Sequence, residues 1–175
     1  MRIKVEKPQK ANIINFYPEQ IKLTDSGVYV ANKDVLPCND LYRNILEIAG
    51  VRRLLVAPEF ISVKYECADI EELKMLIMAE LDDYKETAAP LLQEPVVLPL
   101  REYAEALADA LVRPTLNRDN GDIIIHGIVD DTIELSFTGH CAGCPYAQNT
   151  LQNVIMRTFM RYIPQIKTVR LTENK

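Results

Sequence analysis

The sequence predicts an α+β protein of two small α/β-sandwich-type domains joined by a proline-rich linker. Three observations carry this expectation. Strand-like and helix-patterned stretches follow one another throughout the 175 residues. The segment "ETAAPLLQEPVVLPL" sets prolines at 90, 95 and 99, where they interrupt any helix or central strand drawn through it. Each flank is long enough to bury a core of its own. The expected domains are residues 1–85 and 101–175, with residues 86–100 as the linker, its apolar side chains laid in extended form on a domain surface.

In the first domain, "IINFYP" and "GVYVAN" have strand character. Asn39 or Asp40 caps a helix whose Leu41, Ile45 and Ile48 follow helical spacing, with Gly50 ending it. The runs "VRRLLV" and "FISVKYE" flank a turn at "APEF", and Ile61, Val63 and Tyr65 alternate with Ser62 and Lys64 as a half-buried strand requires. A second helix opens on Asp69 with Glu72 three positions on, an Asp form of the capping box, and carries the stripe Ile70, Leu73, Ile77 and Leu81.

Beyond the linker, "REYAEALADALV" is a good helix former that should end near Pro114, and "RDNGD" is a turn. Ile123–Val129 and Thr132–Thr138 form a hairpin joined by Asp130 and Asp131, with Ile133, Leu135 and Phe137 facing inward. Pro145 suits the first position of a long helix carrying Ala147, Leu151, Val154, Ile155, Phe159 and Tyr162, which Ile163-Pro164 ends. A short strand around Val169 and Leu171 completes a helix, hairpin, helix, strand unit. Met156 and Met160 are expected to fill a core or dimer surface.

Composition narrows the function classes. Mean hydropathy of -0.07, 48% hydrophobic and 26% charged residues describe an ordinary globular chain. A formal charge of -5, with basic residues scattered among acids, weighs against a nucleic-acid partner. No run approaches the roughly 18 apolar residues of a membrane span. The opening "MRIKVEKPQK" reads as neither a secretory signal nor a transit peptide, which makes a reducing, bacterial-type cytoplasm the expected compartment. There, the four cysteines should be free thiols, metal ligands or a redox pair.

The chemistry concentrates in "FTGHCAGCPYAQNT". Cys141 and Cys144 fall between the exit of a strand and the first turn of a helix, where free N–H groups and the helix dipole should lower thiol pKa values. Gly139 and Gly143 allow a sharp turn, and Gly143 is free to take a left-handed conformation. A four-ligand zinc site or cubane cluster needs twice the sulfur this loop holds, and a second copy of the loop is the simplest source. By itself the pair fits half a zinc site, a redox dithiol or a cluster ligand set; the antiparallel hairpin feeding it argues against the βαβ setting of thioredoxin-like redox proteins. Cys38 and Cys67 are expected as small semi-buried side chains, His140 as an exposed loop residue, and Asp119 and Asp122 as parts of a self-capping turn.

Arg113-Pro114, the Asp119–Asp122 turn, the hairpin, Gly139-His140-Cys141-Ala142-Gly143-Cys144-Pro145, Thr150 and Ile163-Pro164 together resemble the C-terminal domain of NifU-like (Nfu-type) iron–sulfur proteins. The stretch "LYRNILEIAGVRRLLVAPEFISVKYECADIEELKMLIMAEL" is similar to that family's N-terminal domain. The resemblance implies a non-enzymatic scaffold or carrier that holds a 4Fe-4S cluster on Cys141 and Cys144, as a homodimer when loaded. It implies apo iron–sulfur proteins as acceptors, upstream assembly proteins as donors, and a partner-recognition role for residues 1–85. Asn120 stands where the family has glycine, a change Asn tolerates at positive φ; His140 and Tyr146 make the rim bulkier. A thiol–disulfide oxidoreductase and a structural zinc-bridged dimer stay open beside this reading.

Overall fold

The structure, a computed structural model, describes residues 2–9, 11–19, 21–24, 27–34, 39–84, 98–143 and 145–172. Cys38, Cys144 and residues 86–97 of the expected linker lie outside them. The chain divides into two compact units, residues 1–8 with 12–98, and residues 9–11 with 99–175.

The first unit is a five-stranded antiparallel sheet with two helices. Its strands are β1 (Ile3–Glu6), β2 (Ile13–Pro18), β3 (Tyr29–Asn32), β4 (Val51–Val56) and β5 (Ile61–Tyr65), in the order β1-β2-β5-β4-β3. Helix α1 (Asp40–Glu47) starts where Asn39 accepts the Tyr42 N–H, and α2 (Ile70–Asp83) where Asp69 accepts that of Glu72 at 3.0 Å. Leu73, Ile77 and Leu81 of α2 and Leu41, Ile45 and Leu46 of α1 pack on Phe16, Leu54, Val56, Ile61 and Val63 in one core. The α1 helix ends before Gly50, which takes φ +91° in the turn that follows. The short strand β1, unforeseen in the sequence, pairs with β2 through half-exposed Ile3 and Val5 and exposed Lys4 and Glu6.

In the second unit, the helical stretch that opens with α3 (Leu100–Leu107) does not end at Pro114. A π-helical turn over Ala108–Val112, closed by the Arg113 N–H on the Ala108 carbonyl, leads into α4 (Arg113–Asn117). The widened turn places Pro114 in the first turn of a new segment, where its missing N–H has no helical partner to lose. Strands β6 (Gly121–Val129) and β7 (Thr132–Gly139) form the expected hairpin, turning at Asp130 with φ +54°. Ile133, Leu135 and Phe137 are buried as read from the sequence. Helix α5 (Pro145–Tyr162) then crosses to β8 (Thr168–Leu171), which lies parallel to β7 in the order β6-β7-β8. Ile155, Phe159 and Tyr162 of α5 join Leu107, Ile123, Ile125 and Val169 among the buried side chains; Met156 is half-buried and Met160 exposed. Gln152 Nε2 donates to the Val169 carbonyl at 2.6 Å, tying α5 to β8. Among the described residues no helix is long and apolar enough to cross a membrane.

Candidate metal centre

Four residues of 3-10 turn, His140–Gly143, connect β7 to α5, and Cys141 points inward from that turn with 7% of its surface exposed. The turn rests on the start of β6. Asn120 takes φ +54° and its carbonyl accepts the His140 N–H at 3.3 Å, while Gly121 and Gly139 face each other in register. Gly139 has φ +63°, and a side chain there would run into the Asn120 carbonyl. From the helix side, Gln148 Nε2 donates to the carbonyls of Ala142 at 2.8 Å and Cys141 at 3.3 Å, satisfying main-chain acceptors of the turn. Sequence reading did not single out Gln148; an amide one turn into a helix carries no signal until the loop is folded against it.

Arg113 gathers carboxylates from three elements, α3, the π-helical turn and β6. Its Nη1 donates to Asp109 at 2.7 Å, Nη2 to Glu105 at 2.9 Å and to the Ile123 carbonyl at 3.4 Å, and Nε lies 3.3 Å from Asp122. Burial works to lower the guanidinium pKa, and the Glu105 and Asp109 partners more than reverse this, so it stays raised and charged. Asp122 also accepts the Ile123 N–H at 2.8 Å, which agrees with a self-capping turn rather than an acid/base pair.

Two expectations about the loop change. The Cys141 thiol is pushed up, not down: burial is the main cause, and Asp119 and Asp122 add repulsion against a thiolate. The left-handed glycine of the loop is Gly139; Gly143 does not share that φ. His140 is exposed and Cys67 half-buried, as expected. Among the described residues no three His, Cys, Asp or Glu side chains are grouped to hold a metal ion. The setting of the pair also differs from the sequence reading. Because β8 is parallel to β7, the turn sits at the strand-to-helix junction of a β7–α5–β8 crossover, so the βαβ context is present after all.

Fold and site define a class: a small α+β domain that carries a cysteine pair in the sequence between a sheet strand and its crossover helix. Residues 105–170 match the NifU-like domain. Over 97% of its length the chain is 28% identical to the human "NFU1 iron-sulfur cluster scaffold homolog, mitochondrial", of which it spans 71%. It is 26% identical over 75% of its length to the protein of that name from Drosophila persimilis, of which it spans 51%. A crystal structure of a Staphylococcus aureus protein aligns with 46% of this chain and 99% of its own at 24% identity, with a TM-score of 0.36, too loose a likeness to carry an argument. Residues 105–170 are similar to the NifU-like domain, and most of the chain is similar to proteins named as NFU1 scaffolds. These relatives overturn one expectation. They are named as mitochondrial, against the cytoplasmic compartment read from the opening residues. That reading had no other support, and a chain spanning part of its relatives says nothing through its first residues about a leader.

Proposed function

We propose that this chain is an iron–sulfur cluster scaffold and carrier, holding a 4Fe-4S cluster between two copies through Cys141 and Cys144 of each and passing it to apo iron–sulfur proteins. The observation that carries this reading is that both cysteines of this chain lie in the segment that matches the NifU-like domain, in a chain similar to proteins named as cluster scaffolds. Two sulfurs per chain fill half of the shell of a cubane cluster, so a second copy supplies the rest. The cluster is cargo. It leaves by exchange of these thiolates for those of an acceptor, and no turnover of substrate is needed, so the role is not an enzyme's. A dithiol oxidoreductase gains the β7–α5–β8 setting and predicts turnover with a dithiol reductant and no iron requirement, which separates it from the scaffold reading.

Anaerobic reconstitution tests the reading. Wild-type protein should take up iron and sulfide, gain visible absorbance and elute as a dimer by light scattering, and Cys141→Ala and Cys144→Ala should each lose the cluster. Full iron and sulfide in either variant, or a loaded monomer, would overturn it; colourless protein with about one zinc per two chains would establish the zinc-bridged alternative. Residues 1–85 we assign to partner docking, so their deletion should slow transfer to an acceptor and leave cluster binding intact.

A further inference from the structure

Gly121 lies at the first position of β6, directly across from Gly139, and its φ is not in the left-handed region. Conformational freedom therefore does not explain a glycine there. Space does. A Cβ at 121 would lie far inside contact distance of Cys141 Sγ, 3.1 Å from the Cys141 Cβ and 3.5 Å from the Leu116 carbonyl oxygen. The thiol occupies the volume that any other residue's Cβ would fill.

We propose that Gly121 is a positioning residue for the thiol loop, seating the Cys141 sulfur in a fixed, buried place before any cluster arrives. This rests on the reading of Cys141 as a cluster ligand. The floor of the seat is held independently of the sulfur: Asn120 accepts the His140 N–H, and Asp122 is pinned by Arg113 and the Ile123 N–H. An added methyl at 121 thus meets a rigid strand on one side and a side chain with one rotatable bond on the other. The sulfur is the part that moves. Displacing the sulfur from this seat changes the ligand geometry that the loop presents to a cluster.

The test uses full-length Gly121→Ala, with Gly127→Ala as a control further along β6, where a Cβ has nothing within 4 Å among the described residues. Alkylation of reduced apo protein by iodoacetamide is followed at Cys141 by peptide mass spectrometry. Gly121→Ala should label Cys141 at least about tenfold faster than wild type, because a buried thiol reacts through local opening and a displaced one does not need it. Gly127→Ala should label at the wild-type rate, and the reconstituted Gly121→Ala protein should lose its iron to a chelator at a rate unlike that of wild type. Unchanged Cys141 labelling in folded Gly121→Ala would overturn the proposal. Should Gly121→Ala fold poorly, Gly121→Ala/Cys141→Ala removes the sulfur: recovery of the melting temperature supports the contact, and no recovery refutes it. Failure of wild-type protein to take up iron would sink the scaffold reading, while the labelling result would still decide the role of Gly121.

Discussion

Each unit presses a glycine against a cysteine, and the two contacts are built differently. In the first unit, Gly50 takes φ +91° and its missing Cβ would lie 2.6 Å from the Cys67 Cβ. Its carbonyl accepts the Glu66 N–H at 2.7 Å. In the second, Gly121 has no left-handed φ, and what its Cβ would strike first is the Cys141 sulfur. Backbone φ and a Cβ that any residue but glycine would carry at 67 demand the first glycine, and Cys67 is half-buried there with its Sγ reaching the Asp69 carbonyl at 3.5 Å. The second glycine is demanded by a thiol. A glycine beside a cysteine therefore reports on chemistry only once the atom it makes room for is known.

The largest effect should come from removing what holds the second floor in place. Arg113→Met leaves Glu105 and Asp109 partly buried without their cation and frees Asp122, so stability should fall by about 3 kcal/mol. Cys141 should label faster in the same variant. An unchanged denaturant midpoint together with wild-type labelling would mean the floor is fixed by the hairpin alone. Gly50→Ala comes next. The left-handed φ and the close Cβ of Cys67 should together lower stability by about 2 kcal/mol. Labelling of Cys141 and iron content should not change. If Gly50→Ala altered either, Gly50 and Gly121 would not differ as a structural and a site glycine.

A smaller effect separates the units by pH. Tyr42 of α1 is fully buried and its hydroxyl donates to the Leu23 carbonyl at 2.6 Å. Burial first, then Tyr84 and Tyr29, pushes its pKa well above the ordinary tyrosine value of 10.0. The fold favours the neutral phenol, so its contribution is complete below the unfolded-state value and is lost as pH climbs from about 10 toward the folded one. Tyr42→Phe should reduce stability by about 1 kcal/mol at neutral pH and flatten the alkaline decline. Denaturant midpoints of the two proteins at neutral pH and at pH 11 check this; parallel declines would show that Tyr42 does not govern the alkaline limb.

What the sequence disclosed was local. The caps at Asn39 and Asp69, the Leu73, Ile77 and Leu81 stripe, the hairpin and the long helix all rest on spacings within one element, and the structure keeps them. What it hid depends on distant partners. Strand β1 is four residues with charges on alternate positions, and its pairing with β2 has no local signature. Parallel β8 turns a hairpin-fed loop into a crossover, which no window of sequence around Cys141 contains. The helix through Pro114 survives by one π turn. In the site, both cysteines are conspicuous in sequence. The seat at Gly121 and the Gln148 amide on the loop carbonyls exist only in three dimensions, and the direction of the Cys141 shift reversed because burial and two acids outweigh the helix end.

The smallest predicted effect tests the comparison most directly. Cys67→Ala keeps the Cβ that lies against Gly50 and removes a half-buried sulfur whose hydrogen bond to the Asp69 carbonyl is long at 3.5 Å. Stability should change by less than about 0.5 kcal/mol, within the range of a surface substitution. Iron and sulfide per chain after reconstitution should equal wild type, since Cys67 belongs to the contact that backbone φ and a Cβ demand. A fall in bound iron would place Cys67 among the ligands and remove the premise that one chain supplies half the shell. A large stability loss with full iron would instead mean that the sulfur, and not the backbone turn, is what Gly50 accommodates, making the two contacts alike.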